Sequence, residues 1–212
     1  MIKIKFKLNK ELVAIHAHTC ADGNIYLKKE NRSPSSIRTG RTTKPFYRGI
    51  IEYTNTCPLL LDKMTSYIKN NYPSTYVYRG DKKFRIQVRN MVLYKMMKDL
   101  GCGKSLDWRI PKEILNNNTF IRIWLAAFFD DEGSITKSGI YLYSSNLRGI
   151  LQVKKLLESE KIKLSLSKRF FANSPNPGYT IRIKSSSHKL FLKFVKFSHP
   201  NKIAAYKKYF NK

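Results

Sequence analysis

Acid is scarce in this sequence. Only 14 Asp and Glu stand against 41 Lys and Arg in 212 residues, a net charge of +27. An excess of that size repels itself in the compact state and favours association with polyanions. A merely solubilising charge needs far less, so nucleic acid is the expected partner. An apolar run of spanning length is missing, as is a long basic amphipathic helix, so the other polyanion, an anionic membrane, is not expected. The opening Met1–Leu8 alternates apolar residues with Lys. It lacks the continuous apolar core of a signal peptide and reads as an extended basic arm. Cysteine is scarce too. Cys20, Cys57 and Cys102 are odd in number and widely spaced, which excludes a disulfide framework and a CxxC metal site. A reducing, intracellular setting follows, its compartment left open. His16 and His18 beside Cys20 do not make a zinc site, because helical residues two apart point to different sides.

What is present is enough to fold. Hydrophobic residues make up 42% and aromatic residues 13%, and a chain this long buries about 70% of its unfolded surface. The most informative stretch is Phe120–Ile135, FIRIWLAAFFDDEGSI. Ile121, Trp124, Leu125, Phe128 and Phe129 recur at helical spacing. The helix then ends in Asp130-Asp131-Glu132-Gly133. A helix C-terminus is the negative end of the macrodipole, so acids there call for a compensating cation, and a divalent metal is the obvious candidate. A second copy lies about half the chain earlier: Glu11–Ile25, ELVAIHAHTCADGNI, again runs helically into an acid and a glycine, Asp22-Gly23. Ala14, Ala17 and Ala21 form a small-residue stripe that allows close helix approach.

Turn and strand signals set the rest in the same order twice. Asn24–Lys29 and Phe46–Tyr53 read as strands, then a helix over Pro58–Asn70 capped by Thr56, a hairpin of Thr75–Arg79 and Lys83–Arg89, and a helix over Met91–Leu100. After a structured connector, the second half repeats this. Ser134–Thr136 pairs with Ile140–Tyr143, Asn146 caps a helix to Lys161, Leu164–Phe171 pairs with Tyr179–Lys184, and helices close the chain. Arg85, Gln87 and Arg89 alternate with Phe84, Ile86 and Val88, as Arg182 and Lys184 alternate with Ile181 and Ile183. The apolar faces must meet the helices. The polar faces then form a basic saddle that suits a major groove, Arg matching guanine and Gln adenine.

Leu125–Gly133, LAAFFDDEG, resembles the signature of the LAGLIDADG homing endonucleases, and Ile15–Gly23, IHAHTCADG, is a weaker copy. The order of elements resembles the single-chain, two-repeat form over nearly the whole length. The resemblance implies an α+β fold of two pseudo-symmetric αββαββα repeats, 1–111 and 112–212, whose antiparallel sheets form a DNA-binding saddle. It implies a monomeric Mg²⁺-dependent endonuclease that cuts both strands of double-stranded DNA across the minor groove, with Mn²⁺ or Ca²⁺ able to substitute in binding. The signature helices would bring Asp22 and Glu132 together as metal ligands and catalytic acids, with Ala21 and Asp131 beside them; Asp131 reads as a further ligand or, preferably, a solvated acid. Arg85 and Arg182 would be the basic catalytic residues, and Thr54, Asn55, Ser145 and Asn146 polar pocket residues. Expected DNA contacts are Arg32, Arg38, Arg41 and Lys44 in the 30–44 loop, and Arg48, Arg79, Lys83, Gln87 and Arg89 in the first half. In the second they are Lys137, Tyr141, Tyr143, Lys168, Arg169 and Lys184. The halves differ, so the target should be asymmetric. An RNA maturase assisting intron splicing, a non-cleaving DNA-binding protein on the same scaffold and an unrelated basic ribosome-associated protein are the competing readings.

Overall fold

Asparagine starts four of the helices. In the computed structural model, which describes residues 7–31, 45–80, 84–170 and 175–210, the side chain of Asn9 accepts from Leu12 N ahead of α1 (Lys10–Ala21). Asn90 caps α3 (Met91–Asp99), Asn117 caps α5 (Asn118–Glu132) and Asn146 caps α6 (Leu147–Ser159) in the same way. Such a side chain satisfies amides that the first turn leaves without partners. Helix α2 (Pro58–Asn71) departs from expectation. Its N-cap is Cys57, without a side-chain bond, and Thr56 caps nothing. Asn55 accepts from Cys57 N instead, at 2.8 Å.

Eight strands form two four-stranded antiparallel sheets of identical order, β1-β2-β4-β3 and β5-β6-β8-β7. The first holds β1 (Gly23–Glu30), β2 (Phe46–Thr54), β3 (Val77–Arg79) and β4 (Arg85–Arg89); the second holds β5 (Gly133–Thr136), β6 (Gly139–Ser144), β7 (Leu164–Arg169) and β8 (Gly178–Ile183). The repeat read from sequence is therefore a repeat in space. Its register is specific. Gly23 faces Tyr53, which faces Ile86; Gly133 faces Leu142, which faces Ile181.

Helices α1 and α5 pack on each other at the centre. Every residue from Leu12 to Cys20 is buried, because α1 touches α5 on one side and α2 and the sheet on others. Trp124 stacks on Phe128 with ring centroids 4.7 Å apart, and Trp108 of the connector adds a third ring 4.8 Å from Phe128. Trp108 lies so tightly on Gly149 of α6 that a β-carbon there would overlap the indole. Asn146 Nδ2 donates to Trp108 O at 2.6 Å, and Gln152 exchanges two hydrogen bonds with the Ile110 backbone. The connector is thus packed against the second half, with only the short α4 (Lys112–Leu115) between it and α5. A 3-10 turn leads into α7 (His188–Phe194), and α8 (Pro200–Phe210) follows with no buried residue. No helix among the described residues is long and apolar enough to cross a membrane.

Candidate functional site

The two acid–glycine ends meet where the halves join. Asp22 is the C-cap of α1, and its carbonyl accepts from Thr54 N at the end of β2, 3.2 Å away. Gly133 follows α5 with φ −80°, so its role is not the left-handed conformation usual for a closing glycine. Space is the reason. A β-carbon on Gly133 would sit 2.5 Å from Phe129 O, and one on Gly23 would sit 2.5 Å from the Thr19 backbone. Each chain turns straight from helix into strand past the previous turn, and only glycine clears it.

This turn crowds carboxylates together. Partial desolvation, followed by the charge of Asp131, raises Asp22 to about 6, with an Asn55 hydrogen bond and Lys202 opposing the shift. Glu132 is pushed up to about 8, first by desolvation, then by Asp22, then by Asp131. Asp22 and Glu132, distant in sequence, are close enough that the charge of Asp22 opposes ionisation of Glu132.

Asp131 is not a solvated acid. Its side chain is fully buried and accepts from three donors: His18 Nδ1 at 2.8 Å, Tyr53 Oη at 2.7 Å and Asn55 Nδ2 at 3.0 Å. Both oxygens are engaged, so Asp131 organises the site from beneath. The proximity of this carboxylate raises His18, although burial alone would lower it. Burial, then Asp131, pushes the Tyr53 hydroxyl far above its ordinary range. Ala21, in the matching place of the first motif, has only its carbonyl to offer a cation.

Asp130 ties down the tail. Its carboxylate accepts from Ser198 N at 2.8 Å and from His199 N at 2.9 Å. From there α8 delivers Lys202, whose Nζ donates to Phe129 O and Asp130 O at 2.6 Å and to Asp131 O at 3.2 Å. The cation demanded at this acidic helix end is in part the chain's own, closing the bare carbonyls of α5. Asp22, Thr54, Asn55, Lys202 and His199 line a pocket of about 270 Å³ at this point. Thr54 and Asn55 are where the resemblance implied. Asn146 is not, since it caps α6 and binds Trp108.

Strand register sorts the expected DNA contacts. On the uncovered face of the first sheet, the one turned away from the helices, lie Asn24, Tyr26 and Lys28, then Arg48, the buried Ile50, Glu52 and Thr54, then Arg85, Gln87 and Arg89. Glu52 organises this face, accepting from Tyr26 Oη at 3.0 Å and Gln87 Nε2 at 2.8 Å with Arg85 at 3.8 Å. Arg48 pairs with Glu30 at 2.9 Å. Arg79 is on the other face. It lies opposite Ile86 and pairs with Asp62 of α2 at 2.9 Å, so it faces the helices. In the second sheet Tyr141, Tyr143, Arg169 and Arg182 share the uncovered face, but Lys168 lies opposite the buried Tyr179 on the helix side, its ammonium over Phe170. Lys137 is exposed in the β5–β6 turn, and exposed Lys184 follows β8. Arg32, Arg38, Arg41, Lys44 and Lys83 lie outside the described residues, as does most of the basic arm.

The pairing of Arg85 with Arg182 is corrected by the same register. Arg85 faces Thr54, one step beyond the Gly23 row, and the matching place beyond the Gly133 row is Thr180, opposite Tyr143. Arg182 corresponds to Gln87. Its guanidinium lies over Tyr141 and donates to Ser138 O at 3.0 Å, at the far end of β5 from the acids. Equal charge and equal alternation hid a two-residue offset.

His16 and Cys20, four apart on α1, do share a side, and Cys102 joins them with its sulfur 3.7 Å from that of Cys20. His16 nevertheless has no lone pair to give a metal. Trp124 Nε1 donates to its Nδ1 at 2.9 Å, and its Nε2 faces Leu100 O at 3.2 Å. An indole nitrogen only donates, so this is a neutral imidazole satisfied on both sides.

Residues 119–196 match the family model described as a LAGLIDADG-like domain. No curated protein sequence matches the chain. Among solved structures, the homing endonuclease I-DmoI in complex with DNA and Ca superposes with a TM-score of 0.63 at 14% identity, over 92% of this chain and 96% of that one. Its complex with DNA and Mn gives 0.63 at 13% identity, over 90% and 99%. Full-length DUF199/WhiA from Thermatoga maritima gives 0.55 at 13%, over 97% of this chain and 63% of that one. At such identities the likeness is one of fold.

Proposed function

We propose that this chain, with a LAGLIDADG-like second half on the single-chain homing-endonuclease fold, is a site-specific double-stranded DNA endonuclease acting as a monomer. The observation that carries the reading is the meeting of Asp22 and Glu132 at the joint of two pseudo-symmetric halves, at the edge of an uncovered polar sheet face. Their crowding opposes ionisation, and a divalent cation is what reverses such a penalty. The donor set fits: hard carboxylate oxygens with room for water suit Mg²⁺, with Mn²⁺ or Ca²⁺ as substitutes in binding. Bound there, the ion supplies an activated water and charge stabilisation at the leaving oxygen.

The chain's own residues do the rest. Asn55 holds Asp22 in place by its amide, and Asp131 holds Asn55. Lys202 fixes the end of α5 and so the aim of Glu132. Arg85, exposed at the strand end beside Thr54, is the basic group best placed to contact a phosphate next to Asp22. Gln87, Arg89, Tyr141 and Arg182 offer base-edge and phosphate contacts in register along the two sheets. Thr180 where the other half has Arg85, and Ala21 where the other has Asp131, make the two half-sites chemically unequal. Such inequality suits a long asymmetric target.

The test is selection of cleaved sequences from a randomised duplex library in Mg²⁺, followed by single-turnover kinetics on the selected target. Asp22→Asn and Glu132→Gln should each lower cleavage by about 100-fold or more while leaving duplex affinity in chelator intact. Undiminished cleavage in either variant would remove that acid from the reaction.

A further inference from the structure

A second cavity, of about 370 Å³, opens on the helical flank between α1, α2, α5 and α7. Lys63, Arg122, Lys193 and Lys196 are among its lining residues. None of the four forms an ion pair among the described residues. The guanidinium of Arg122 lies 4.9 Å over the ring of Phe194, which gives the cavity an apolar wall. The only lining carboxylate, that of Asp130, is already engaged by the Ser198 and His199 amides.

The second observation is His18. Its side chain is 3% exposed and lines this cavity. Nδ1 is committed to Asp131 at 2.8 Å, while Nε2 has no hydrogen-bond partner among the described residues. Buried polar atoms are nearly always paired, and one left open at a cavity wall marks where a ligand atom belongs. A phosphate monoester satisfies an imidazole nitrogen in either protonation state, since it carries both acceptor oxygens and a hydroxyl. Its charge answers the four cations, and the volume suits a ligand with an organic body.

We propose that this flank cavity binds a phosphate monoester of nucleotide size, its phosphate between His18 and the Lys63–Arg122–Lys193–Lys196 rim and its base against Phe194. The source is a free mononucleotide or the 5′-phosphorylated end of a strand. The inference is independent of the nuclease reading, because it uses a different surface and a binding readout.

The experiment titrates adenosine 5′-monophosphate into the full chain with duplex DNA already bound, so that the basic sheet faces are covered. Heat of binding, melting temperature and the His18 ring ¹⁵N resonances are followed. The expected result is saturable binding that raises the melting temperature and shifts the Nε2 resonance. Binding should weaken at least ~10-fold in Arg122→Glu and Lys196→Glu, exposed positions outside the acid network. Both variants should keep the wild-type melting temperature without ligand. Adenosine should not bind, and a 5′-phosphorylated single strand tested in parallel distinguishes the two sources. Absence of binding at millimolar nucleotide, binding indifferent to both charge reversals, or loss of binding when duplex is added would each overturn the proposal.

Discussion

Asp22 and Asp131, at the ends of the two central helices, are joined through one amide: Asn55 Nδ2 lies 3.1 Å from Asp22 Oδ2 and 3.0 Å from Asp131 Oδ1. The same side chain accepts from Cys57 N and so is fixed by the start of α2. The two helix ends are therefore mechanically coupled through one side chain.

Asn55→Ala should leave the fold intact and loosen Asp22. Removal of a residue that orients a metal-holding carboxylate costs about 10- to 100-fold in metal affinity. Calcium titration of the DNA-bound protein, with single-turnover rates alongside, measures this. An unchanged metal midpoint would show that Asn55 does not orient Asp22.

Asp131→Ala should be costly to stability rather than to metal binding. It strands His18, the Tyr53 hydroxyl and the Asn55 amide in a buried setting. Breaking such a network costs roughly 3–5 kcal/mol, and Asp131→Asn should cost less because it keeps one acceptor oxygen. Denaturant unfolding of the two variants tests the order.

Metal-free stability should fall as pH rises. Asp22 and Glu132 have folded values near 6 and 8, above the ordinary 3.8 and 4.5. Their contribution is complete below the unfolded values and is lost as pH passes through the folded ones. The melting temperature in chelator should thus decline between about pH 4 and 8. Glu132→Gln should flatten the upper part of that decline, as should added divalent metal at pH 8. A melting temperature independent of pH across this range would contradict the crowding of the two acids.

Arg79→Ala and Arg89→Ala separate the two faces of the first sheet. Arg89 is exposed on the uncovered face, whereas Arg79 is spent on Asp62. Duplex affinity should drop for Arg89→Ala and stay level for Arg79→Ala. If about 8–10 phosphates are neutralised, the wild-type log–log salt slope should lie near −7 to −9, with Arg89→Ala about one unit shallower if that contact is to phosphate. Equal losses in the two variants would mean that the duplex does not lie on this face.

Much of this was legible in the residues. Apolar periodicity, asparagine caps and alternating strands gave the element order of both halves, because those signals are local. The acid–glycine repeat pointed to Asp22 and Glu132 because a helix end rich in acid violates a local electrostatic rule. What escaped depended on contacts made at long range. Nothing around Lys202 marks it as a cap for α5, and Tyr53 and His18 look like ordinary core positions until Asp131 is seen between them. Arg79 and Lys168 were misplaced because charge alone does not tell a solvent-facing position from one at a strand edge over a helix. The matching of Arg182 with Arg85 failed for want of register, which strand composition does not encode.

The tail segment has a mechanical consequence. Residues 198–202 hold Asp130 and close the end of α5, although they lie some seventy residues further along the chain. Both signature helices and both sheets are built without them, but the last turn of α5 is not. The acid centre is therefore completed by a strap that belongs to neither sheet.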